Sequence, residues 1–294
     1  MEKIEYGVLM KDSVQAHLST QEDSCILLNG SKRSKASYDL RSYIDFDNDD
    51  SIEYVTLSMP YAVITNSNYI ISNNNNTISV TFGGTPYTYT IPNGNYTVST
   101  FITYLTATVF TGAGFSVNFN TTTNKITINY TGGGTWGFIS PTTCDYNIGF
   151  QGTPFTTSAT SLTMPFVIDF LPIPRFIFHC NLLNDGLLLT TNSTVGATDV
   201  LASIPNNAKL GSQIIYENYN SEFLLRTTPQ NNIIVTITND NSQEIDFNNI
   251  ACYFVLRFNV FRKSISKPLR FNNLIQSIKQ NTKLVGDNAV LQED

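Results

Sequence analysis

Residues 252–261, CYFVLRFNVF, put Cys252, Phe254, Leu256, Phe258 and Val260 on one side of an alternation and Tyr253, Val255, Arg257 and Asn259 on the other. Successive side chains of a strand point to opposite faces, so this two-residue period predicts a β-strand packed on one face. The same texture recurs over residues 174–182, 199–204, 213–218, 222–226 and 232–238. Evenly spaced strands separated by turns such as Asn239-Asp240-Asn241-Ser242 predict a sandwich of two sheets. At 294 residues the chain is long enough to bury a large core without staples.

The first half is less uniform. Residues 1–35 show no sustained period and end in Asn29-Gly30-Ser31-Lys32-Arg33-Ser34-Lys35, which predicts an extended N-terminal arm. Tyr38, Leu40, Tyr43, Ile44 and Phe46 then read as one strand and residues 54–59 as a second, joined by the acidic run 47–50. After Pro60 the texture changes. Residues 77–91 read as a hairpin turning at Gly83-Gly84, and Val98, Phe101, Ile102, Leu105 and Val109 recur at helical spacing behind Thr97, an N-cap residue. Strands over 115–119 and 125–130 follow, so a small β-rich unit with one helix is expected as an insertion. The predicted organisation is an arm at 1–35, a discontinuous sandwich at 36–65 and 161–265, an insertion at 66–160 and a C-terminal tail at 266–294.

Catalytic inventory is sparse. The chain has two histidines, His17 in the expected arm and His179 in a strand, so a multi-imidazole metal site or a Ser-His-Asp triad has little to draw on, and no GxSxG elbow is present. His179 reads as a structural strand residue. Thr131-Gly132-Gly133-Gly134-Thr135 lacks the Lys-Ser/Thr pair of a phosphate loop and reads as a turn. Asp45, Asp47, Asp49 and Asp50 lack the glycine and distal glutamate of an EF-hand and read as a solvated turn. No catalytic, cofactor-binding or metal-ligating residue is assigned, and no enzyme activity is expected.

Composition agrees with a protein that works by shape. Charged residues make up 14% of the chain and aromatics 12%, with a net charge of −6. Such a surface suits broad protein contacts and disfavours a dominant nucleic-acid role, which needs concentrated cations. Two basic clusters, Lys32-Arg33-Ser34-Lys35 and Arg262-Lys263 with Lys267 and Arg270, read either as solvated loops or as one end of the sandwich facing an anionic partner. Cys25, Cys144, Cys180 and Cys252 are far apart and read as core thiols. No signal-peptide core and no stretch of about 18 apolar residues is found, so synthesis in the cytosol without a membrane span is expected, and the sequons at Asn75, Asn95, Asn129 and Asn192 carry little weight.

Taken in order, TLSMPYAVITNSNYIIS, YTIPNGNYTVSTFITYL, ITINY leading to NIGFQGTP, DVLASIP with SQIIYEN, NNIIVTITNDNSQEIDFNN and YFVLRF cover most of residues 40–260. The series resembles the penton (minor capsid) proteins of virophages and polinton-like viruses. That resemblance implies an all-β fold, a single jelly roll with an inserted domain. It also implies a homopentamer at the vertices of an icosahedral virion, beside trimers of a double-jelly-roll major capsid protein. It would be made in the host cytoplasm, need no cofactor, and make at most weak contact with packaged DNA or a host surface. The alternative is a β-sandwich receptor- or carbohydrate-binding spike module, which would trimerise or bind sugar as the isolated chain.

Overall fold

The computed structural model describes residues 10–46, 49–112, 114–151, 157–158, 160–189, 199–225 and 229–262. Four strands come first: β1 (Met10–Ser19), β2 (Ile26–Leu27), β3 (Lys35–Asp39) and β4 (Ile52–Thr65). A module follows with β5 (Thr77–Phe82), β6 (Thr85–Thr90), helix α1 (Val98–Tyr104), β7 (Phe115–Asn120), β8 (Lys125–Tyr130), β9 (Trp136–Phe138), helix α2 (Asp145–Ile148), β10 (Thr157–Ser158) and β11 (Ser161–Thr163). The chain then forms β12 (Arg175–Cys180), β13 (Gly186–Leu189), β14 (Val200–Pro205), β15 (Gln213–Glu217), β16 (Glu222–Leu225), β17 (Asn232–Thr238) and β18 (Tyr253–Arg262).

Two antiparallel sheets make the sandwich. The first has the order β1-β18-β4-β16-β13 with β15 also on β4, and the second has the order β14-β12-β17-β3-β2. Among the described strands the chain changes sheet from β1 to β2, β3 to β4, β12 to β13, β13 to β14, β14 to β15, β16 to β17 and β17 to β18, and β1 and β18 lie side by side. This winding is that of a jelly roll, and the fold is all-β. The expected alternation in β18 holds on the core side, where Cys252, Phe254, Leu256, Phe258 and Val260 are all buried. Phe254 joins the sheets: its ring meets Tyr38 of β3 edge-on at 5.7 Å and Phe178 of β12 at 5.6 Å.

The module has its own hydrophobic cluster, drawn from residues between Ile71 and Met164, separate from the cluster of the sandwich. Gly83 (φ 56°) and Gly84 (φ 87°) both occupy the left-handed region, the requirement of the two-residue turn that closes β5 and β6. Thr97 caps α1 as its spacing predicts, accepting from Thr100 N while the Thr100 hydroxyl accepts from Thr97 N. Phe101, Leu105 and Val109 face inward.

Four expectations are corrected. Residues 10–19 are not an arm: β1 pairs with β18 from Met10↔Arg262 to Ser19↔Tyr253, and Ala16 and Leu18 are buried. Residues 40–46 are not a strand. The amides of Tyr43 and Ile44 both donate to Leu40 O, a turn that tucks Leu40, Ile44 and Phe46 into the core. Strand β4 also does not stop at Pro60. Opposite it the β18 pairing jumps from Tyr61↔Val255 to Ser58↔Arg257, a β-bulge at which an amide-free residue leaves no ladder bond unmade. At the far end of the module, β11 pairs with β8 and Met164 joins the module's cluster, beyond the expected boundary at 160. The expected tail lies outside the described residues.

Candidate functional site

The residues that chemistry would use are dispersed or already engaged. His17 lies on β1 and His179 on β12, in different sheets. The His17 ring contacts the Tyr253 hydroxyl; His179 Nε2 is 2.9 Å from Thr238 Oγ1 and its Nδ1 is 3.1 Å from Asp199 Oδ2. Among the described residues no three His, Cys, Asp or Glu side chains gather as metal ligands. Cys144, Cys180 and Cys252 are buried free thiols. Burial raises all three, Cys180 to about 12, which leaves them uncharged and unreactive at neutral pH. In the glycine run, a Cβ on Gly132 would fall 2.4 Å from the Tyr130 ring, so this glycine answers to close packing.

The basic and acidic runs are mostly consumed by the fold. Arg33 is buried; it donates to Thr20 O (2.9 Å), Asn249 Oδ1 (2.6 Å) and Glu22 Oε1 (3.3 Å), while Lys35 pairs with Glu244 at 3.5 Å. The first cluster is therefore not the exposed cationic face that a nucleic-acid contact would need. In the second, Arg262 bridges Asp12 and Asp49, and Lys263, Lys267 and Arg270 lie outside the described residues. Asp45 accepts from Asn231 Nδ2, and Asp47 is not among the described residues.

Hydrogen bonds from Ser51 and then Arg262 hold the Asp49 carboxyl below its usual range. A depressed folded-state value means the contribution is complete above the unfolded carboxylate value of about 4 and is lost as pH falls through the lower folded value. On acidification from about pH 6 to about pH 3, the melting temperature of Asp49→Asn should fall less than that of the parent chain. Equal falls in the two proteins would remove Asp49 from the account.

What remains is surface. The outward face of the first sheet carries Tyr54, Tyr61, Tyr253, Arg257 and Phe261, brought into register by the pairing of β18 with β1 and β4. Tyr54 and Phe261 stack at 4.2 Å with Lys11 Nζ 5.6 Å above the Phe261 ring, Tyr61 meets Tyr253 at 6.2 Å, and the Arg257 guanidinium lies 5.4 Å over Tyr219. Beneath them Asn259, although outward-facing, is buried; its amide donates to Glu222 Oε1 at 2.9 Å. Ile215 on β15 stands 63% exposed beside this face. Tyrosine and arginine over a satisfied polar layer form the kind of surface that binds protein with a partly wet contact. The sequence showed these aromatics but not their convergence, which depends on pairing between strands far apart in the chain.

Strand order and surface together define an all-β, jelly-roll-like sandwich carrying an inserted module. Among solved structures the chain is similar to the crystal structure of the selenomethionine-labelled mavirus penton protein, with 13% sequence identity, a TM-score of 0.41, and coverage of 85% of this chain and 99% of that one. No family model and no curated protein matches. No described helix is long and apolar enough to cross a membrane.

Proposed function

We propose that the protein is a structural, non-catalytic capsid protein, the penton that closes five-fold vertices of an icosahedral virion beside a major capsid protein. The observation that carries this reading is the aromatic outer wall of the first sheet, with Ile215 exposed at its margin. It is read as an assembly surface on a roll in which Arg33, Lys35, Asp49 and Arg262 are engaged within the fold. The order of sequence segments resembling virophage pentons supplies the five-fold copy number. Five wedge-shaped copies meeting through one repeated heterologous contact close a ring by geometry. A contact of about 1,600 Å² is enough to hold such a ring without covalent links.

Native mass spectrometry across a concentration series, alone and with the major capsid protein, tests the reading. A five-fold multiple of 32.7 kDa, or incorporation at vertices, is the expected result. A trimer would point to a spike, and a monomer that ignores the capsid protein would point to a binding module. Ile215→Asp should leave the monomer folded and weaken ring formation about tenfold or more, because it replaces an exposed apolar contact residue with a charge that must be desolvated against the neighbouring copy. Unchanged assembly would take this margin out of the interface.

A further inference from the structure

A cleft of about 930 Å³ opens where the module meets the sandwich, between the segment after β4, the α2 region and the turn after β17. Its lining differs from the assembly wall. Two exposed tyrosines border it, Tyr146 at 60% and Tyr69 at 40% exposure, and Asn74 and Asn241 add exposed amides. Asn68, also in the lining, is only 3% exposed, yet its side-chain nitrogen and oxygen both lack a protein hydrogen-bond partner. A buried amide with neither donor nor acceptor engaged by protein is uncommon; with both atoms covered, Asn68 lies just under the cleft surface and meets a ligand through a bridging water or a small side-chain shift.

We infer that this cleft binds a neutral oligosaccharide. A tyrosine ring offers a flat apolar surface to the C–H face of a pyranose and a hydroxyl at its rim. An amide side chain donates and accepts at once, matching a pair of adjacent sugar hydroxyls, each of which can also do both. The charge of the lining sets the class of sugar. Asp145, Asp169, Asp240, Glu244 and Asp246 line the cleft, and no lysine, arginine or histidine does among the described residues. Sialylated and sulfated glycans, phosphates and nucleic acids are therefore repelled. Two of these carboxylates meet cations, Asp240 with Arg175 and Glu244 with Lys35, while Asp169 and Asp246 accept from the uncharged Leu171 N and Asn248 N, so the lining stays net negative and a cationic peptide is the competitor the test has to exclude.

The test is binding of the full chain to a printed array of neutral oligosaccharides ending in galactose, N-acetylglucosamine or mannose. The array also holds their sialylated and sulfated counterparts and an oligolysine peptide. Calorimetric titration with the best neutral binder follows. Neutral glycans should bind, and Tyr146→Ala, whose exposed side chain leaves the melting temperature unchanged, should weaken binding about tenfold. Asn68→Ala should weaken the same ligand. No binding, binding confined to anionic glycans or to oligolysine, or affinity unaltered by both variants would overturn the assignment. The readout does not depend on oligomeric state, so it stands or falls apart from the five-fold reading.

Discussion

Deleting residues 1–19 should collapse the sandwich, with the truncated chain failing to give a cooperative urea transition at the midpoint of the full chain. The segment supplies β1, whose ten residues pair with β18 along its whole length and whose Ala16 and Leu18 are buried in the core. Burying a leucine side chain is worth about 1.5–3 kcal/mol, and the strand adds a hydrogen-bonded ladder beyond that. Its loss also turns β18, whose Phe254, Leu256, Phe258 and Val260 are buried, into an edge with one side unpaired. Against a total stability of about 5–15 kcal/mol, removal of one of the six strands of a sheet is too large a loss to absorb. Leu18→Ala alone should lower stability by about 2 kcal/mol or more. A truncated protein that kept the full-length midpoint would show that β1 is dispensable and return the segment to the role of an arm.

Phe110→Ala should unfold the module while leaving the sandwich folded. Phe110 is the hub of the module's aromatic cluster, with ring centroids 5.4 Å from Phe115, 5.5 Å from Trp136, 6.1 Å from Phe138 and 6.2 Å from Phe82. Emptying such a site costs about 3–5 kcal/mol. The measurement is favoured by the sequence, since Trp136 is the single tryptophan of the chain and is fully buried inside the module. Its fluorescence follows the module, and hydrogen exchange of the β18 amides follows the sandwich. The fluorescence transition should move to lower urea while β18 protection is retained. A parallel loss of both signals would show one cooperative unit.

Much of this architecture was readable because some segments carry their period undiluted. The β18 alternation, the Gly83-Gly84 turn and the Thr97 cap each rest on local physics that neighbours reinforce. β1 was missed because its core side mixes Asp12 and the small Ala16 with Val14 and Leu18, so its strand character comes from its partner and not from its own composition. Leu40, Ile44 and Phe46 misled in the opposite direction: they are apolar for the sake of a buried turn. Arg33 looked like half of a basic patch, but a left-handed backbone at φ 56° turns it inward to hold Thr20 and Asn249. The aromatic wall and the cleft lay furthest out of reach. Tyr54 and Phe261 are more than two hundred positions apart and touch only through a register that a two-residue period does not specify.

Pro60 has a further effect on the opposite side of β4. Its carbonyl accepts from Asn218 N just where β15 has ended and before β16 begins, and along this border the partner of β4 comes in two pieces of five and four residues. The second piece is already covered by β13. An uninterrupted border there would present a row of free amides and carbonyls able to recruit the same border of another molecule without limit. Broken as it is, it leaves a neighbouring molecule only the five-residue β15 to pair with, which blunts edge-to-edge growth into open fibrils.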